Sequence, residues 1–387
     1  MRRHEKILAA AIVALPLALG LLGAPLTRAD TADLNRLPTR FPEIRLSAML
    51  DAETYADIGA WLRDRMPLRA KIRTLEAKFN RGVFRDVDDP AILQGKNGWL
   101  YFDPAISLGL RHDFDPADVR AGILRLKQEV EAAGKTFLFA IAPHKETIYP
   151  QNLMDRDRRR QEIVRERLES FRELMRREPV DGFIDAWDEL EAAAAASPTP
   201  LYYPRDTHWS PVGAIEMSRL VVKALAPDMP FNLNPKLGRP RPYTPDLVQY
   251  SGLNETEMFP AIEFFRPGVT WKRAGDEMGS RTRTVRFLSR STRKASPLLA
   301  QKLVVITDSY GMAMPHSLRP FFRESTFIMV GSGYTELARR ALAAADVVLF
   351  IRVERFMYDI SYDRPFSTDS VEVLDLLGTL RRKPPAV

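Results

Sequence analysis

Cysteine is absent from all 387 residues. That excludes a thiolate nucleophile, a disulfide framework and any Cys-ligated metal. Histidine is scarce, with only His4, His112, His144, His208 and His316. No two of them stand at metal-ligand spacing, so neither a zinc site nor any other cofactor is expected. Low-complexity tracts and internal repeats are also missing, which argues against a disordered or solenoid chain. No DNA-binding motif is visible, and nucleic acid is not an expected partner.

What is present fits a packed globular protein. The hydrophobic content of 45% is normal for a chain long enough for one large or two ordinary domains. The 29 prolines cluster between predicted elements and indicate long ordered loops. At the N-terminus, Arg2, Arg3 and Lys6 precede an uncharged apolar run from Ile7 to Leu26. Residues 1–29 therefore read as a signal peptide, with Thr27-Arg28-Ala29 as its cleavage site, or as an inner-membrane anchor. Either reading exports the remainder, and an exported chain without disulfides fits a bacterial periplasm. The formal charge is +7, and seven basic residues with no acidic one lie between Arg281 and Lys302. That run reads as a solvated loop or as a track for an anionic partner.

Arg45 to Phe84 reads as mainly helical, and Gln94 to Phe102 as a glycine turn entering a short aromatic strand. An alternating pattern follows. Asp115-Pro116 starts a helix ending near Ala133, Thr136–Ala142 is a strand buried on both faces, and residues 155–178 are helical. A short strand over Val180 to Ile184 precedes helices over Trp187 to Ala196 and from Ser210-Pro211 to Leu225. The proline-rich stretch from Asp228 to Asp246 reads as a linker into an insertion lasting to about Pro297. Strands return at Leu303–Thr307, Thr326–Val330 and Val347–Val353, with a helix over Thr335–Ala345. This order predicts an α/β three-layer sandwich with a mainly parallel sheet, as a single domain over 30–387 with an insertion at about 228–297.

Two motifs carry chemistry. Ser309 follows a buried strand on the turn Thr307-Asp-Ser-Tyr-Gly311, where open α/β sheets place their ligands. Its hydroxyl would be exposed, with the backbone N–H groups of Ser309 and Tyr310 near enough to hold an oxyanion. Asp206 and His208 stand two residues apart just before a helix that Ser210 caps. In an extended loop they would project the same way, letting the carboxylate orient the imidazole. These roles predict a serine acyl enzyme, with Ser309 as nucleophile, His208 as base and Asp206 as its orienter.

The motifs together resemble the alginate O-acetyltransferase family of periplasmic SGNH-hydrolase-like proteins, of the AlgJ and AlgX type. The matching pieces are Trp61-x-x-Asp64-Arg65 with Arg69, Gly95-Lys-Asn-Gly-Trp-Leu-Tyr101, and Ala142-Pro-His-Lys-x-x-Ile-Tyr149. They continue with Tyr203-x-x-Asp206-Thr-His208-Trp209 and Gly213, then Thr307-Asp-Ser-Tyr-Gly311 and Glu354-Arg355. As in that family, the Asp/His pair precedes the serine, the reverse of ordinary SGNH hydrolases. The chain departs from the family in having Thr307 where glycine is usual and His144 where aspartate is common. The resemblance implies an SGNH-like fold and acetyl transfer through Ser309 to hydroxyls of an exported anionic polysaccharide, alginate or similar. It also implies a membrane-bound acyltransferase as acetyl supplier. Lys145, Tyr310 and Arg355 are candidate neighbours of the reaction. Two other readings stay open: an exported carbohydrate acetylesterase and a non-catalytic polysaccharide-assembly subunit.

Overall fold

Apolar runs without a polar alternation make the centre of this molecule. In Thr136–Ala142, every residue after Thr136 is buried, and Val347–Val353 is buried except at Arg352. Such strands need cover on both faces, which a sheet between two helical layers supplies. The structure, a computed structural model, describes residues 61, 89–111, 114–251, 255–279, 282–331, 334–358 and 376–378. The expected export segment 1–29 and the expected helical region 45–84, apart from Trp61, lie outside them. Among the described residues no helix is long and apolar enough to cross a membrane.

Two units divide the chain, Met1–Asp89 with Val248–Glu255, and Pro90–Leu247 with Thr256–Val387. The second carries the sheet. Its strands begin with β1 (Ile92–Gln94), β2 (Leu100–Phe102), β3 (Thr136–Ala142) and β4 (Phe183–Ile184). Next come β5 (Asn234–Leu237), β6 (Arg241–Tyr243), β7 (Glu257–Phe259) and β8 (Ile262–Phe265). The series closes with β9 (Val269–Met278), β10 (Arg283–Ser291), β11 (Leu299–Thr307), β12 (Phe322–Met329) and β13 (Val347–Val353). The main helices are α1 (Pro116–Ala132), α2 (Asp155–Arg177), α3 (Trp187–Ala196), α4 (Pro211–Leu225), α5 (Asp246–Tyr250) and α6 (Glu336–Ala344).

Seven strands form the central sheet in the order β4-β3-β13-β11-β12-β10-β9. The five from β4 to β12 run parallel, and β10 and β9 add on antiparallel. Side chains alternate between its faces. Phe137, Phe139 and Ile141 meet Val119, Ile123 and Leu126 of α1, with Val164, Leu168 and Phe171 of α2, in one layer. Leu138 and Ala140 meet Leu190 of α3, with Met217 and Val221 of α4, in the other. The result is the expected three-layer α/β sandwich. Each fully buried side chain of this kind contributes roughly 1.5–3 kcal/mol, so the two layers hold the sheet rigid beneath the loops.

The segment 228–297, read from sequence as an insertion, holds two two-stranded pairs, β5 with β8 and β6 with β7, and also β9 and β10, the antiparallel edge of the sheet. Its basic run is partly neutralised. Arg283 pairs with Asp276 at 2.9 Å and Arg286 with Glu324 at 2.8 Å.

Candidate active site

The carboxyl ends of the parallel strands bring the predicted residues together. β3 leads into Lys145, β11 into Ser309 and β13 into Arg355. Asp308 ties two of these ends, because its Oδ1 accepts from Tyr310 N at 2.9 Å and its Oδ2 from Val353 N at 2.8 Å. Thr307, in place of the usual glycine, is buried and its hydroxyl accepts from Gly311 N at 3.1 Å. A Cβ on Gly311 would run into that hydroxyl, so a threonine and a glycine interlock to shape the serine turn.

Asp206 and His208 sit on a tight loop closed by a bridge between Tyr202 and Trp209. The expectation of an extended loop is corrected here. Asp206 Oδ1 accepts from His208 N at 2.9 Å, an Asx-type turn that folds the carboxylate back towards the ring. The same oxygen lies 2.9 Å from His208 Nδ1. On the far side of the ring, His208 Nε2 lies 2.8 Å from Ser309 Oγ. Pro211 opens α4 directly afterwards, and Ser210 caps it by accepting from Val212 N at 3.2 Å. Ser210 thus relieves Asp206 of capping.

Asp246, which no motif marked, completes the group. Its Oδ2 lies 3.3 Å from His208 Nδ1 and accepts a short hydrogen bond from the Thr207 hydroxyl. Its Oδ1 accepts from Thr207 N at 2.7 Å, while its own N–H donates to Asp206 Oδ2 at 2.9 Å. The residue falls in the stretch that reads as a proline-rich linker, 38 positions beyond His208, and only a spatial contact reveals it. Burial alone would push the His208 imidazole towards its neutral form. The hydrogen bonds and charges of Asp206 and Asp246 outweigh that and raise its pKa to about 10. The pairing therefore stabilises the folded chain fully below the ordinary value of 6.5, and that contribution is lost as pH rises through about 10. Ligand atoms of Asp206, His208 and Asp246 lie within 4.8 Å of one another. The facing oxygens are already engaged by the ring and by Thr207, which accounts for the cluster as a hydrogen-bonded one.

The other expected neighbours are all near, in supporting positions. Lys145 is buried, and its ammonium donates to the carbonyls of Leu100, Tyr203 at 3.3 Å, Pro204 at 3.1 Å and Asp206 at 2.6 Å. Burial lowers its pKa to about 8 against the pull of Glu146, Asp246, Asp206 and Glu257. Tyr310 donates its hydroxyl to Thr207 O at 2.5 Å, with its ring centroid 5.1 Å from that of His208. Its N–H, expected as an oxyanion donor, is spent on Asp308. Ser309 N–H has no partner within the described protein, so it alone of the two remains available. The Arg355 guanidinium lies 5.9 Å from the Tyr310 ring.

His144 serves a different end. Its Nε2 accepts from Arg355 N at 3.0 Å and its own N–H donates to Glu354 Oε2 at 3.1 Å. Burial, with Arg355 close by, holds the ring well below its ordinary pKa, so it is neutral and fastens β3 to β13. His316 is exposed on the helix Pro315–Leu318, and His112 lies outside the described residues.

Part of the chain is similar to known proteins. Residues 92–267 match the family model of the SGNH hydrolase-like domain of acetyltransferase AlgX. Probable alginate O-acetylase AlgJ of Pseudomonas syringae pv. tomato is 25% identical over 193 residues, 48% of this chain and 48% of that protein. The Pseudomonas fluorescens protein of the same name is 25% identical over 149 residues, 38% of this chain and 36% of that one. The chain thus spans about half or less of the relatives it matches. The solved O-acetyltransferase domain of Pseudomonas putida AlgJ is 17% identical, with a TM-score of 0.45, covering 75% of this chain and all of that one. Ser309 and Arg355 stand beyond the span of the family match. Over residues 92–267, which hold Lys145, Asp206, His208 and Asp246, this chain is similar to the SGNH hydrolase-like domain of acetyltransferase AlgX.

Proposed function

We propose that the protein is an O-acetyltransferase that moves acetyl groups through Ser309 onto hydroxyls of an exported polysaccharide, alginate or a similar uronate polymer. The observation that carries this reading is His208, held between Ser309 Oγ at 2.8 Å and the Asp206 carboxylate at 2.9 Å. A serine, an imidazole and a carboxylate in that order can form and break an ester.

The steps follow from the atoms. Ser309 Oγ attacks the acyl carbonyl of a donor ester as its proton passes to His208 Nε2. The developing oxyanion faces Ser309 N–H, with the Arg355 guanidinium, 5.9 Å from the Tyr310 ring, as a cation at the same end of the sheet. As the tetrahedral centre collapses, the donor's leaving oxygen takes the proton from Nε2 and the acetyl group stays on Ser309. A sugar hydroxyl then gives its proton to Nε2 and attacks the acetyl carbonyl, and on collapse Ser309 Oγ leaves with that proton from Nε2. The names of the relatives support acetyl as the acyl group and alginate as the acceptor. Ser309, His208, Asp206 and Asp246 all lie in the unit Pro90–Leu247 with Thr256–Val387. The basic and then apolar residues 1–29 support a periplasmic location, cleaved or anchored in the inner membrane, with a membrane-bound acyltransferase as acetyl supplier.

The test is incubation of the purified chain with an acetyl donor ester and a polyuronate oligosaccharide, followed by mass spectrometry of the sugar. New acetyl esters on the oligosaccharide are the expected product. Free acetate without sugar acetylation would instead identify an esterase, and neither product would leave an assembly role.

A further inference from the structure

We propose that Asp246 is a second orienting carboxylate for His208, clamping Nδ1 together with Asp206 and favouring the protonated ring. The geometry is that of a shared proton donor. His208 Nδ1 has Asp206 Oδ1 at 2.9 Å and Asp246 Oδ2 at 3.3 Å. A serine triad needs only one such acceptor to fix the tautomer.

The two carboxylates are also fastened to each other. Asp246 N donates to Asp206 Oδ2, and Thr207 reaches Asp246 through both its N–H and its hydroxyl. Neither acid can turn away without breaking the loop that carries the base. Other groups face the cluster from every side. Asp206 comes from the loop, Ser309 and Tyr310 from the serine turn, and Tyr243 from β6. Glu257 of β7 is paired to Arg205, and Lys145 holds the loop from below with Glu146 beside it. Asp206 and Asp246 are the two acids within ion-pair distance of the ring among the described residues.

A doubly clamped imidazolium changes what Ser309 does at rest. With Nε2 protonated, the ring donates to Ser309 Oγ and cannot accept its proton, so the resting hydroxyl is not activated towards water. Removing one charge makes the ring a free base at lower pH. Asp246 is thus a positioning residue that sets the pH at which Ser309 becomes nucleophilic, and this kinetic part rests on the proposed role of His208.

The experiment is a pH titration of the full chain with 15N-labelled histidine, comparing wild type, Asp246→Asn and Asp206→Asn. The pH dependence of acylation by an activated acetyl ester is measured in parallel. Near-UV circular dichroism checks that each variant keeps its folded loop. Asp246→Asn is expected to increase the acid dissociation constant of the His208 ring about tenfold or more, moving its midpoint down by about one unit. Acylation should begin at correspondingly lower pH, with the high-pH rate within about tenfold of wild type. A folded Asp246→Asn variant with an unmoved His208 midpoint overturns the proposal. A moved midpoint with an unmoved acylation profile overturns its kinetic part. A wild type that is never acylated at Ser309 contradicts the proposed function, while the titration still reads the clamp.

Discussion

Ser309→Ala is expected to abolish acyl transfer, lowering kcat by roughly 10³-fold or more at every pH while the fold is kept. Ser309 sits beyond the end of β11 and its hydroxyl contacts only the His208 ring among the described residues, so removing Oγ leaves no buried carbonyl or amide unpaired. The cost falls on chemistry. His208→Ala should be about as damaging, because the members of such a set act as one unit and their losses do not add. Steady-state rates with an activated acetyl ester, read beside thermal unfolding, check both variants. A Ser309→Ala protein with wild-type rates would show that acyl transfer runs through some other group.

The second large effect is structural and lies under the site. Lys145→Met removes a buried ammonium that four carbonyls share, those of Leu100, Tyr203, Pro204 and Asp206. Methionine fills much of the space but offers no donor. Each carbonyl left dry costs about 1–3 kcal/mol, partly recovered by relaxation, so a total loss of about 3–5 kcal/mol is expected. For a domain of this size the unfolding midpoint should fall by roughly 10 °C. Activity should fall further than stability, because Asp206 is one of the residues that lose their anchor. Differential scanning calorimetry and ester kinetics on one preparation separate the two effects. A variant with unchanged midpoint and rate would show that the ammonium anchors nothing.

Legibility from sequence followed burial. Thr136–Ala142, Trp187–Ala196 and Val347–Val353 stand where the residue pattern placed them, since apolar runs and cap residues are local signals. β9 and β10 fall in the stretch that reads as an insertion because the proline-rich run from Asp228 to Asp246 breaks the alternating pattern before them. β9 is largely exposed along its length, so no alternation of buried residues marked it as part of the sheet. The strand expected at Thr326–Val330 starts four residues earlier, at Phe322, because the polar Arg323 and Glu324 interrupt the apolar pattern there.

The site divides the same way. Ser309, His208 and Asp206 were legible because each lies in a short motif whose chemistry is local. Their approach rests on an Asx turn and on Thr307 against Gly311, neither of which spacing specifies. Tyr310 was expected to offer its amide to an oxyanion, and the Asp308 carboxylate takes it first. Asp246 was invisible because its importance comes entirely from folding across 38 residues onto the His208 loop.

The most direct test of the central claim is peptide mapping by mass spectrometry after brief mixing with an acetyl donor ester and an acid quench. The account predicts one acetyl group on the peptide containing Ser309, absent from Ser309→Ala and discharged when a polyuronate oligosaccharide is added. Acetylation at another residue, or an unmodified Ser309 during steady turnover, would contradict it.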